Sequence, residues 1–322
     1  MRTAFTFAAL GFGLVVALVA CDSSDSGPTV DRPQMPTADG GASSSSSSSS
    51  SSGSSGSADA GPDSGPNLAD DSFFAAGGRH ACVLRAGVVS CWGQSLFGQL
   101  GGGDTAGKEG PTPVDLGAGR TAKAISVGRF HTCAILDTNA LKCWGQNTYA
   151  QLGLGDTQNR GDDPGEMGDA LPAVDLGAGK VARVSAGGSH TCALFDTGSI
   201  KCWGVNASGQ LGIGSVATVG VAPGQMGAAL ATTDVGGPAR AVSAGYAHTC
   251  ALLDGGVVKC WGENQFGELG LGALRDRRGD EPGEMGAALQ PAVSKGAVAV
   301  SACRDCTCVM MDDNLPRCFG DF

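Results

Sequence analysis

The chain's four histidines, His80, His131, His190 and His248, each stand two residues before a cysteine, once as His-Ala-Cys and three times as His-Thr-Cys. Such a pair could set a thiolate beside an imidazole base, the arrangement of a cysteine nucleophile. Imidazoles at one repeat position could also converge on a metal. The surrounding sequence argues against both. Each cysteine has a second one a few residues on, placed to oxidise it, and a later copy has Cys306 where the histidine would be. The histidines are therefore expected to be structural, with no catalytic, cofactor or metal role. Two acidic loops are the remaining ligand candidates. Asp162, Asp163 and Glu166 lie in one, and Asp280, Glu281 and Glu284 in another. Such oxygen-rich clusters could hold calcium, although the loop between them has no carboxylate across 213–230. An Arg-Gly-Asp tripeptide falls in each acidic loop, at 160–162 and 278–280, and reads as shared repeat sequence. There is no phosphate loop, serine nucleophile elbow or zinc-protease helix motif, and the protein is not expected to be an enzyme.

The elements that position these residues are copies of one unit. Cys-Trp-Gly begins at 91, 143, 202 and 260, and Cys-Phe-Gly at 318. A recurring period of this size signals one supersecondary unit repeated along the chain. Each copy reads as a hairpin. In the fourth, Thr249 to Leu253 and Val257 to Trp261 are β-prone, and Asp254-Gly255-Gly256 is turn chemistry. Cys250 then falls opposite Cys260. In the first copy the cysteines are one residue closer, and a two-residue turn at Ala86-Gly87 keeps them opposed. A deletion that preserves the pairing is what a cross-strand disulfide requires. The expected bonds are Cys82–Cys91, Cys133–Cys143, Cys192–Cys202, Cys250–Cys260 and Cys308–Cys318. Cys303 and Cys306 form a further local pair, and Cys21 stands alone. Alternation puts Cys250, Leu252 and Cys260 on one face and Thr249, Ala251, Leu253 and Trp261 on the other. Both faces are apolar enough to be buried, which calls for stacked or radially arranged blades.

Four strands can be traced per unit, in units of about 73–121, 122–180, 181–239, 240–296 and 297–322, the last with three strands. The result is an all-β protein, a propeller of four-stranded blades with four complete repeats and a partial fifth. Long loops precede the fourth strand and end in Met-Gly-x-Ala-Leu at Met167, Met226 and Met285, where a short helical turn would seat the methionine. Ahead of the repeats, 1–20 reads as an export signal ending in Leu18-Val19-Ala20-Cys21, a lipobox-like run that marks Cys21 for lipidation. Residues 21–66, with an unbroken serine run, form a tether with a reach of roughly 35–40 Å. Residues 67–322 form the propeller head. Oxidised cysteines and an export signal place the head outside the cytoplasm, facing the periplasm or the exterior, with the membrane touched through the lipid alone. A formal net charge of −10 disfavours nucleic acid as a partner.

The run G-x-x-H-T-C-A-L…C-W-G-x-N…G-Q-L-G-x-G resembles the repeat of the regulator of chromosome condensation family, in its cysteine-bearing bacterial form. The resemblance covers about 80% of the chain. It implies a β-propeller of four-stranded blades, of which the founding member has seven and this chain at most five. It also implies that each histidine bonds backbone within its own unit. The best-known activity of the family is guanine nucleotide exchange, but the motif carries the scaffold and not the exchange surface. The reading that follows is a cell-envelope lipoprotein whose propeller loops bind a protein or a glycan. A regulator of another protein, as exchange factor or enzyme inhibitor, is the alternative.

Overall fold

The computed structural model describes residues 73–321, so the signal, Cys21 and the tether lie outside it. Five antiparallel sheets follow one another along the chain. The first holds β1 (Phe73–Ala76), β2 (His80–Arg85), β3 (Val88–Gly93) and β4 (Lys108–Pro113). The second holds β5 (Ala122–Val127), β6 (His131–Leu136) and β7 (Leu141–Gly145). The third holds β8 (Val181–Ala186), β9 (His190–Phe195), β10 (Ile200–Gly204) and β11 (Thr232–Thr233). The fourth holds β12 (Ala239–Ala244), β13 (His248–Leu253), β14 (Val257–Gly262) and β15 (Pro291–Val293). The fifth holds β16 (Ala297–Ala302), β17 (Cys306–Met311) and β18 (Pro316–Gly320). The second sheet departs from the four-stranded expectation. The segment in its fourth place is held by one backbone bond, Val174 N–H to the Leu141 carbonyl, with Pro172 beside it unable to donate another.

The hairpin register is the one that the cysteine spacing requires. Cys82 faces Cys91, and Cys133, Cys192, Cys250 and Cys308 face Cys143, Cys202, Cys260 and Cys318. All five pairs are disulfides, and Cys303 is bonded to Cys306. The two-residue turn of the first hairpin is present, with Ala86 at φ 49° and Gly87 at φ 80°, the left-handed pair that a tight hairpin favours.

Alternation along the central hairpins divides each sheet between two cores. Cys250, Leu252 and Cys260 face the fifth sheet, packed with Leu269, Val300 and Val309. Ala251, Leu253 and Trp261 face the third, packed with Cys192, Ile200 and Leu211. All six residues of β6, β9 and β13 are therefore buried. The terminal sheets each have one covered face, and β2 and β17 alternate between buried and less buried positions.

Every seam between sheets carries the same hydrogen-bonded junction. The Nε2 atoms of His80, His131, His190 and His248 lie 2.9 Å from the hydroxyls of Thr132, Thr191, Thr249 and Thr307 in the following sheet. Each threonine donates its single proton to a carbonyl of the preceding unit: Gln99, Gln151, Gln210 and Glu268. The histidine must then donate from Nε2, which fixes the neutral tautomer and leaves Nδ1 buried without a partner. Trp144, Trp203 and Trp261 donate from Nε1 to the same three glutamine carbonyls. The histidines are thus structural, but they bond across to the next sheet's hydroxyl and not to backbone in their own unit. Thr191→Val removes a buried hydroxyl from the second seam and strands His131 Nε2. The Gln151 carbonyl keeps its Trp203 donor, so the loss is that of the His131 partner, and stability should fall by about 1–2 kcal/mol, read from urea unfolding.

Candidate functional site: an arginine and aromatic face

The turns between the first and second strands of each sheet lie side by side, because the inner strands neighbour one another. Backbone bonds tie them in sequence: Arg129 N–H to the Gly187 carbonyl, Gly188 to Gly245, and Tyr246 to Cys303. The residue two before the histidine position alternates in size: Gly78, Arg129, Gly188, Tyr246 and Arg304. Arg129 and Tyr246 each lie over a glycine of the preceding turn, and Arg304 lies over Tyr246. A Cβ at Gly78 would touch Arg129, and one at Gly188 would collide with the carbonyl and ring of Tyr246. Tyr246 therefore crosses the third turn to reach the second sheet. The Arg129 Nη1 donates to its hydroxyl at 2.6 Å.

The result is a stacked cluster. The Arg129 guanidinium sits 4.8 Å from the Phe130 ring centre and 5.1 Å from that of Tyr246. The Arg304 guanidinium sits 5.6 Å from the Tyr246 ring centre. Phe97, from the loop after β3, meets Phe130 edge-on at 5.3 Å, so the loops after the third strands reach the same face. Tyr149 and Phe266, at corresponding loop positions, are exposed. Arg79 is exposed on the neighbouring turn. Arginine and tyrosine held in fixed stacking geometry have the composition of a binding hot spot.

The acidic loops are built differently from a cation site. Glu166 Oε2 accepts from the Gly161 and Asp163 N–H groups, and Glu284 Oε2 from those of Gly279 and Glu281. In the loop between, uncharged Gln225 Oε1 accepts from Gly220 and Val221 in the same way. The shared role is to close the loop. Arg160 and Arg278, which open the Arg-Gly-Asp tripeptides, pair with Asp156 and Asp276. Asp280 stands beside Glu284, and burial raises its pKa, while Asp162 accepts from Asn159. Among the described residues no group of three or more His, Cys, Asp or Glu side chains is placed to hold a metal. The four imidazoles are spread one per seam. Burial pushes His80, His131 and His190 down to about 3, and His248 to about 4.

The regulator of chromosome condensation repeat model matches residues 86–135, 143–194 and 197–252, and a second model of that repeat matches 122–151, 181–210 and 239–268. The chain belongs to the regulator of chromosome condensation repeat family. The ultraviolet-B receptor UVR8 of Arabidopsis thaliana is 31% identical over 206 residues, which are 63% of this chain and 43% of the receptor. The human probable E3 ubiquitin-protein ligase HERC6 is 30% identical over 250 residues, 77% of this chain and 23% of the ligase. The chain thus spans less than half of either relative. Among solved structures, human WBSCR16 superposes with a TM-score of 0.60 at 18% identity, over 77% of this chain and 61% of that one. Prp20p of Saccharomyces cerevisiae superposes at 0.55 and 20% identity, over 72% and 53%. These likenesses establish a β-propeller fold of the regulator of chromosome condensation type. The arginine and aromatic face lies outside the repeat signature. Its signal in the sequence was the one position before each histidine where glycine alternates with large planar side chains.

Proposed function

We propose that this protein is a lipid-anchored binding module of the bacterial cell envelope, and that the face around Arg129 and Tyr246 holds a protein ligand. The observation that carries this reading is the stacked Arg129–Phe130–Tyr246 cluster with Arg304 beside it, preorganised by the seam-to-seam turns. Its basic and aromatic character on a chain of net charge −10 favours a partner with an acidic, planar or aromatic contact group. The six disulfides suit an oxidising compartment, and a tether ending in lipidated Cys21 would hold the head away from the membrane. In this reading the protein binds and catalyses nothing. The second reading, a regulator of another protein, draws on Prp20p, whose structure was described with its binding to Gsp1p and histones. It requires a soluble partner whose activity changes on binding.

Natively purified protein, cross-linked in its own cells, should carry a diacyl or triacyl mass at Cys21 and one dominant protein adduct. Titrating that partner against Arg129→Ala/Tyr246→Ala should show affinity at least about 100-fold weaker. Lys123→Ala, on the side of the sheet away from the cluster, should bind as the parent does. An unlipidated chain sinks the envelope reading, and unchanged affinity of the double variant sinks the assignment of the face.

A further inference from the structure

The long loops of the second, third and fourth units share one backbone. Gly161, Gly220 and Gly279 stand at φ 88°, 98° and 88°. The residue before each pairs with the glycine that ends the third strand: Arg160 with Gly145, Val219 with Gly204, and Arg278 with Gly262. Glu166, Gln225 and Glu284 close the loops in the same way. The loops also lie shoulder to shoulder. A Cβ at Gly155 would meet Pro223, and one at Gly214 would meet Pro282, so the third unit's loop sits between the other two.

This one backbone carries two kinds of surface. In the second unit Asp156 pairs with Arg160, and Asp162 and Asp163 follow. In the fourth, Asp276 pairs with Arg278, and Asp280 and Glu281 follow. In the third, the places of Asp156, Arg160, Asp162 and Asp163 hold Ser215, Val219, Val221 and Ala222. No charged residue stands between Lys201 and Asp234. Val216 is 56% exposed and Val221 38%, with Ala217 and Pro223 open beside them. The loop keeps its glycine conformation, its strand pairing and its closure without a charge, so the fold does not account for the difference. An apolar centre between charged neighbours has the composition of an interface core within a polar rim.

We propose that the third unit's long loop is the centre of a second protein-binding surface, whose partner presents an apolar knob ringed by lysine or arginine. The flanks set the partner's chemistry. Asp162 and Asp163 belong to the loop on one side of Val221, and Asp280 and Glu281 to the loop on the other. Arg160, Arg277 and Arg278 are engaged by Asp156, Glu263 and Asp276. A second copy of this surface would set acidic flanks against acidic flanks. The chain's own leading segment complements it no better, because residues 22–72 hold eight aspartates against one arginine, Arg32. The surface uses neither Arg129 nor Tyr246, and its test stands whether or not that face holds a partner.

Two synthetic peptides are the probes, one with Leu-Val-Phe-Leu between lysine pairs and one with the same core between glutamate pairs. The lysine-flanked peptide should bind the full chain saturably, and the glutamate-flanked peptide at least about tenfold more weakly. Val216→Ser/Val221→Ser removes the apolar contact without changing charge, and should weaken the lysine-flanked peptide at least about tenfold. Val221→Asp copies Asp162 and Asp280, and should keep the parent's melting temperature within about 2 °C. Absence of saturable binding, or binding indifferent to the serine variant, overturns the proposal. A marked fall in the melting temperature of Val221→Asp does the same, because the loop is then uncharged for the sake of its own folding. Self-association of the full chain that the serine variant abolishes makes the occupant a second copy, and displacement of the lysine-flanked peptide by one of residues 22–66 makes it the leading segment. Either result also overturns the proposal.

Discussion

Mild reduction should strip the fifth sheet of its disulfides while the other four sheets remain oxidised. Cys318 is exposed, and Cys303, Cys306 and Cys308 are half-buried. The eight cysteines of the first four hairpins are fully buried. A thiolate reaches the first set in the folded protein and the second only after the seams open. Alkylation followed by mass analysis should therefore find four labelled cysteines early and twelve late. Forcing full reduction has a larger effect. Each hairpin bond closes a loop of about ten residues and contributes about 2–3 kcal/mol in the chain-entropy model. Five of them exceed 10 kcal/mol, comparable with the whole stability of an ordinary domain. The fully reduced chain should fail to refold at any urea concentration near zero. A reduced chain with a native circular dichroism spectrum would show that the seams alone hold the fold.

Acid should unfold the protein well before its carboxylates titrate. Four imidazoles are buried, neutral, and held at about 3 or about 4, against 6.5 in an unfolded chain. Their folded pKa values are depressed, so below 6.5 the unfolded state binds more protons and stability falls as pH falls. Between pH 7 and pH 5 each contributes a loss of about 1.9 kcal/mol, and the four together about 8 kcal/mol. Glu268 and Asp280, both raised by burial, work in the opposite sense, but they are two groups against four. Protonation finds little local relief: each Nδ1 is buried without a hydrogen-bond partner, and only His248 is eased in part, by the Cys306 backbone. Thermal unfolding should show a melting temperature at least about 15 °C lower at pH 5 than at pH 7. Equal melting temperatures at the two values would mean that water or a shifted seam meets the charged imidazole.

Much of this architecture was legible in the residues. The one-residue deletion between Cys82 and Cys91 identified the hairpin register, because only opposed cysteines survive such a change as a pair. The two apolar faces of His248–Leu253 announced that both sides would be covered. The direction of the histidine bond was not legible. Donor and acceptor lie in different units, and a repeat motif shows what recurs without showing which copy each residue touches. The hydrogen-bonding role of the loop carboxylates was hidden for a related reason. Glu166 and Glu284 look like ligands until Gln225 is seen doing the same work without a charge. The arginine and aromatic face was missed because its residues occupy the position at which the copies differ, while repeat reading attends to what they share.

The histidine–threonine junction gives the array a head and a tail. An internal unit presents a hydroxyl toward the unit before it and an imidazole toward the unit after it. The first unit has Ala81 in place of the threonine, and the fifth has Cys306 in place of the histidine. Neither can serve in the middle, and the two cannot join to each other by the same bond. An internal unit can join to a further copy of itself. Duplicating the third unit in frame should thus lengthen the array by one blade with every junction satisfied, whereas a circular permutation that fuses the fifth unit to the first creates a junction with neither donor nor acceptor. Blade number in such a chain is a matter of copy number between two fixed ends.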